Sequence, residues 1–240
     1  EVKGLEFSEY MTKESLAQQG GFGMANKGPQ HDEAWLIFMD QVKKQLPTFQ
    51  DKAEALFYFP LFRTWFSLVG LCKLPWNDTE PADNRTKYSG MEAAKVPEHV
   101  ENYCWLYEGV TGNPLSKEEM IEQSRRVYNF QRMFSVRLGR GDRKDDLVPY
   151  RSMGPVTVHE YESRQSRYDD QLKQILNIDP TGKSTEEKIK ILRTYREEQY
   201  EKLQDAVYTR RGWDLNGIPT ENTLRSLQLD FPEVLELLKK

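Results

Sequence analysis

Apolar positions recur along most of the chain at intervals of three and four, the spacing of one helix face. Ala34, Trp35, Phe38, Met39 and Val42 form the first set. They predict a helix that opens at Asp32, a side chain suited to N-capping, and stops at Pro47. A second set, Ala53, Leu56, Phe57, Pro60, Leu61, Thr64, Trp65 and Leu68, predicts a helix over 50–71. Pro60 should kink or split it, because proline lacks an amide hydrogen and clashes with the preceding turn. Further helices are expected over 97–110 and 116–134. The latter opens on Ser116-Lys117-Glu118-Glu119, a capping box in which hydroxyl and carboxylate satisfy each other's backbone amides. Two charged stretches, 158–178 and 184–209, carry Glu–Lys and Glu–Arg pairs at helical spacing. They flank the turn Asp179-Pro180-Thr181-Gly182 and read as a peripheral helical hairpin. Two short helices close the chain near 223–229 and 232–238.

Three stretches break the pattern. Residues 1–30 hold Gly20, Gly21, Gly23 and Gly28-Pro29, too dense for a long helix, and are expected to be loop-like. Residues 74–94, with Pro75, Asn77-Asp78, Pro81 and Gly90, read as a long ordered loop whose length points to a functional role. Residues 137–157 read as a solvated, charged loop with room for a two-stranded piece near 147–157. There is no long alternation and no internal repeat. The fold class expected is all-α: an irregular multi-helix domain with long loops and a charged helical hairpin. The chain reads as a single helical domain over 1–240, with 1–157 and 210–240 as its core and 158–209 as the hairpin.

Composition adds exclusions. Hydrophobic content of 38% and charged content of 30% suit a globular chain of 240 residues, long enough for a real core. A net charge of −4 argues against a nucleic-acid partner. No apolar run approaches the about 18 residues of a membrane span; the longest, Phe57–Leu71, is interrupted by Pro60, Arg63 and Thr64. The chain opens Glu1-Val2-Lys3, with neither signal peptide nor methionine, and is expected to be a piece of a longer protein. Two cysteines, Cys72 and Cys104, are too few for a disulfide framework. Reduced thiols in a cytoplasmic protein are the expectation, a single bridge the alternative.

Few residues stand out as candidate chemistry. Cys72 ends the apolar segment and is either a small core thiol or a metal ligand whose partners lie outside this chain. Cys104 shares a helical stripe with Tyr103, Leu106 and Tyr107 and reads as structural. His31 either caps a helix or carries a proton near neutral pH. Tyr10 is either an ordinary half-buried aromatic or a phenolic donor to a carbonyl oxygen.

Several segments, taken in order, change those odds. They are Gly4-Leu5-Glu6-Phe7-Ser8-Glu9-Tyr10, the glycine-rich run from Gly21 to His31, and Gly70-Leu71-Cys72-Lys73. Tyr107-Glu108-Gly109-Val110-Thr111-Gly112, Asn129–Arg137 with Arg143-Lys144-Asp145-Asp146, and Gly212–Thr220 follow. The ordered set resembles the carboxy-terminal part of the tungsten-pterin aldehyde ferredoxin oxidoreductase family. The resemblance implies a tungsten (or molybdenum) bis-pterin beside a [4Fe-4S] cluster. The rest of the pterin and cluster site would come from the amino-terminal domains of the same enzyme. It places Cys72 as a cluster ligand and His31 and Tyr10 near the reacting carbonyl. Ser67, Gly70, Leu71 and Lys73 fall along the pterin, with Ser67 where the family has an aspartate. A serine is no bidentate anionic acceptor. Gln30 before His31, and Asp32 and Glu33 after it, also depart from the family and alter the charge near the substrate.

The function implied is oxidation of aldehydes to carboxylic acids, with electrons passing to ferredoxin or a similar carrier. A relative acting on another substrate, such as an aromatic acyl-thioester, is the nearest alternative. A non-catalytic helical interaction domain, docking through the charged hairpin to an electron-transfer subunit or to a second copy in a homo-oligomer, is the other.

Overall fold

The computed structural model describes residues 1–8, 12–73, 88–95 and 100–239. The fold is all-α: among the described residues the only β-type pairings are the isolated bridges Val2–Leu5 and Trp213–Pro219. No two-stranded piece forms near 147–157. No helix among the described residues is long and apolar enough to cross a membrane.

The centre is α2 (Phe49–Leu68), capped by a reciprocal Thr48–Asp51 box. From Ala53 to Phe66 nearly every side chain is buried, the pattern of a helix enclosed on all sides. Around it pack α1 (Leu16–Gly23), α3 (Met91–Ala94), α5 (Lys117–Arg137) and α8 (Thr185–Arg211). The helix α4 (Glu101–Thr111) adds Tyr103, which meets Phe66 edge-on at 4.8 Å between ring centroids.

Pro60 does not break α2. Its missing amide leaves the carbonyl four residues earlier, on Leu56, without the helical donor. The buried Arg211 guanidinium supplies one instead, at 2.9 Å, and lies 4.7 and 4.9 Å from the ring centres of Tyr128 and Trp213. Arg211→Met is therefore expected to cost about 1–3 kcal/mol by orphaning that carbonyl, read as a lower urea midpoint; an unchanged midpoint would contradict this account of the proline.

Two expectations near the amino terminus are overturned. Residues 16–23 form a helix despite three glycines, opened by the Ser15 hydroxyl. The glycines serve contact instead of chain reversal. A Cβ on Gly20 would meet Leu56 at 2.5 Å, and one on Gly23 would meet the Tyr200 hydroxyl at 1.8 Å. Bare backbone lets α1 wedge between α2 and α8. Conversely, no helix starts at Asp32. The segment after it is held open by Gln18, whose amide accepts from the Leu36 and Ile37 amides (2.7 and 2.9 Å) and donates to the Ala34 carbonyl at 2.8 Å. Only a π turn, Phe38–Val42, follows. Its buried Asp40 accepts from Ser15 and pairs with Lys52.

The remaining helices lie close to their expected positions. The Ser116 capping box opens α5, and a second, Ser184 with Glu187, opens α8. The first arm of the hairpin is two pieces, α6 (Val158–Glu162) and α7 (Gln165–Leu176). The second arm is not uniformly peripheral: from Tyr200 onward, Leu203, Gln204, Val207 and Tyr208 are buried in the core. Short helices α9 (Glu221–Ser226) and α10 (Pro232–Leu235) end the chain. The expected long loop over 74–94 falls mostly outside the described residues; its end, from residue 88, contains α3.

The stretch 137–157, read as a solvated loop, hides a fully buried charge. Asp146 closes a 3₁₀ turn (Arg143–Asp146) and is fully buried. Arg132 of α5 grips it bidentately at 2.9 and 2.8 Å. Lys3 pairs with it at 2.6 Å and donates to the Gly23 carbonyl. Tyr208 donates to its carboxylate at 2.6 Å and Tyr200 to its backbone carbonyl. Arg132 also donates to the Gly217 carbonyl at 2.8 Å. Burial alone would raise the Asp146 carboxyl, but Arg132 and Lys3 outweigh it and hold the group below its ordinary value.

Candidate functional site

The site is built at the end of α2. The helix stops because Gly70 takes the left-handed conformation, φ +74°. The Leu71 amide then donates to Phe66 and the Gly70 amide to Ser67, the paired bonds of a Schellman ending. Burial ends abruptly one residue earlier. Phe66 is 1% exposed, whereas Leu68 and Leu71 are 46% and 44% exposed, and the Cys72 thiol is free and exposed. Cys72 is thus not the end of a buried segment, as its apolar setting implies. It stands on an open apolar ledge. A Cβ on Gly70 would meet nothing within 4 Å. Cys104, by contrast, is buried, and burial pushes its thiol up.

Among the described residues no three His, Cys, Asp or Glu side chains gather around a point that would hold a metal. Cys72 therefore offers one outward-facing sulfur, which suits a cluster whose other thiolates come from elsewhere. For a pterin, the exposed Ser67 hydroxyl points back to the Arg63 carbonyl at 3.5 Å. The Leu71 amide is spent on Phe66, and the Lys73 carbonyl accepts from the buried Arg63 guanidinium at 2.7 Å. Gly70 leaves room for close approach. Burial lowers Arg63 to about 10 against the pull of Asp32.

A salt bridge joins this ledge to the loop that carries His31. The Lys73 ammonium reaches Asp32 at 3.2 Å, and Lys27 reaches the same oxygen at 2.6 Å. Burial favours a lower value for both lysines. At Lys27 the hydrogen bonds to Asp32 and Lys73 and the charges of Asp32 and Glu33 together outweigh it, so Lys27 is raised, whereas Lys73, facing Lys27, stays lowered. His31 is half-buried, its ring edge-on to Trp35 at 5.0 Å between centroids. Asp32 thus acts as a bridge between loop and ledge, the role that a helix-cap reading of its sequence position hides. Lys27, inside the glycine-rich run, gave no separate signal in the sequence. Tyr10 lies outside the described residues.

Behind the bridge, Glu33 is 4% exposed, and one of its oxygens has no hydrogen-bond partner. Burial pushes its carboxyl up, against the pull of Lys27, Lys73, Tyr128 and Arg211. The Tyr128 hydroxyl also donates to the Met24 carbonyl at 3.1 Å.

Four of the six sequence segments that singled out the chain divide between two places. Gly70–Lys73 and the run ending at His31 meet at the ledge. The Arg132 and Asp146 segment and the Gly217 loop meet at the buried carboxylate, joined there by Lys3, which lies just before the amino-terminal segment.

No curated protein matches the chain. The family model for aldehyde ferredoxin oxidoreductase, domains 2 & 3, matches residues 1–229. With that match over nearly its whole length, the chain belongs to the aldehyde ferredoxin oxidoreductase family.

Proposed function

We propose that this chain forms one wall of a tungsten (or molybdenum) bis-pterin and [4Fe-4S] centre that oxidises aldehydes to carboxylic acids. The observation that carries the reading is the exposed Cys72 thiol on its ledge, tied through Lys73 and Asp32 to the His31 loop. Aldehyde and water give acid, two protons and two electrons. The metal–pterin group, when bound, supplies the two-electron oxidation, and the cluster a one-electron exit toward ferredoxin or a similar carrier. Cys72 provides one thiolate. Ser67, Gly70, Leu71 and Lys73 border the pterin, with Gly70 admitting close approach and Lys73 contributing positive charge. His31 takes a proton at its imidazole as water adds to the carbonyl, and Tyr10 donates to the carbonyl oxygen. The amino-terminal domains of the enzyme cover the ledge and supply the other ligands. The protein works in the cytoplasm, where both thiols stay reduced.

The test is metal analysis of the full-length protein purified anaerobically. Wild type should contain iron and tungsten or molybdenum, and Cys72→Ala should lose most of its iron. Because the side chain is exposed, the substitution leaves the fold intact, and unchanged circular dichroism serves as the control. A variant that keeps its full iron content would remove Cys72 from the cluster.

A further inference from the structure

A cavity of about 560 Å³ separates the helical hairpin from the core, within the ordinary size range of small-molecule sites. Its walls are α7 and α8 on one side and the start of α1, the π turn and the start of α2 on the other. Five cationic side chains line it against two carboxylates. Three of the cations are already paired: Lys13 with Glu160, Arg167 with Glu14 and Lys52 with Asp40. Lys44 and Arg196 have no carboxylate within ion-pairing distance among the described residues. The Arg196 guanidinium is partly buried and bonds to neutral acceptors, the Lys13 carbonyl and the Gln171 amide oxygen at 2.7 Å. Glu14 is near enough to favour its charge, but that carboxylate already holds Arg167, and its other oxygen accepts no hydrogen bond. Burial meanwhile pulls the Arg196 guanidinium below its ordinary value. Lys44 is exposed, and its backbone takes the left-handed conformation, φ +54°. A side chain costs energy in that conformation, so the fold carries this ammonium at a conformational cost. Beside the charges, Ile175, Leu176, Leu192 and Tyr195 give the same cavity apolar surface.

We propose that this cavity binds a small organic oxyanion, a phosphate or carboxylate head on an apolar body, with Arg196 and Lys44 holding the head. Such a ligand supplies the counter-charge that neither side chain has and takes charge-assisted hydrogen bonds from both. Its body covers apolar surface that the hairpin leaves open. Because hairpin and core both wall the cavity, the bound anion fastens one to the other and stabilises the fold in step with its occupancy. The site goes beyond the oxidoreductase reading above and does not depend on it: the cavity shares no residue with the ledge or the His31 loop.

The full-length protein is titrated by calorimetry with phenyl phosphate, inorganic phosphate and phenol. Phenyl phosphate should bind, inorganic phosphate more weakly and phenol not detectably. Lys44→Gln should weaken phenyl phosphate about tenfold, the order expected for one lost charged hydrogen bond. Its ammonium has no hydrogen bond or ion pair among the described residues, so this variant folds as wild type does and keeps the test clean. Arg196→Gln should weaken binding at least as much. Phenyl phosphate should also raise the thermal midpoint of wild type, and raise it less in either variant. Absence of phenyl phosphate binding, or binding that neither substitution weakens, would overturn the site. Inorganic phosphate bound as tightly as phenyl phosphate would overturn the organic class of ligand. The readout needs neither metal nor turnover, so a full-length protein without iron, tungsten or molybdenum would end the oxidoreductase reading while this titration still decides the anion site.

Discussion

His31→Ala in the full-length enzyme should keep its iron, tungsten or molybdenum and pterin yet lose about a hundred- to ten-thousand-fold in kcat, the usual range for removing a general acid–base. The structure gives reasons to expect the two effects to separate. His31 is half-buried on a loop held elsewhere, by Gln18 on the backbone from Ala34 to Ile37 and by Asp32 on Lys27 and Lys73. Its own contact with Trp35 is a ring-edge contact, and such a contact contributes about 0.5–1.5 kcal/mol. Removing the imidazole leaves the loop anchored. His31→Gln keeps polarity without a group that accepts a proton near neutrality, and should be as slow as the alanine variant. Full turnover in either variant would take His31 out of the reaction, whereas parallel loss of metal and activity would make it a structural residue.

Asp146→Ala should destabilise the fold by about 3–5 kcal/mol, because it strands the buried Arg132 and Lys3 without their counter-ion. The same change removes the acceptor of Tyr208. The measurement is the urea midpoint followed by circular dichroism. Acid provides an independent reading. The Asp146 carboxyl is depressed in the fold, so its stabilisation is complete above the ordinary value of 3.8 and is lost as pH falls through the lower folded value. In the alanine variant that part of the acid sensitivity should vanish. A midpoint within experimental error of wild type would show that the buried carboxylate is dispensable.

Much of the helical frame is legible from local chemistry. The Ser116 box, the charged pairs of the hairpin and the turn at Asp179–Gly182 depend on neighbours a few residues away, and the structure places helices there. The failures involve partners far along the chain. Pro60 signals a break, but the donor that permits continuity is Arg211, 155 positions from Leu56. Asp32 has the composition of an N-cap, but Gln18 supplies the bonds that a helix would have used. Arg143-Lys144-Asp145-Asp146 looks solvated because three of its side chains are charged neighbours of the fourth. Only Lys3, Arg132 and the two tyrosines, brought from three other parts of the chain, make Asp146 a core residue. At the candidate site, residue types pointed to Cys72 and His31. Their linkage through Asp32, and the exposure of Cys72 beyond a fully buried helix, arise from tertiary placement. Local pattern carries no such information.

The glycine-bearing helix α1 also sets a dimensional tolerance. A Cβ on Gly21 would sit 3.0 Å from both the Ala34 methyl and the Ala34 carbonyl, so peptide lies directly against peptide where the His31 loop turns back. Side chains can absorb a misfit by changing rotamer; a main-chain seam has no such adjustment. The distance from the core to the His31 loop is consequently gauged by the thickness of the backbone itself, and rotamer exchange elsewhere in the core is poorly transmitted to it.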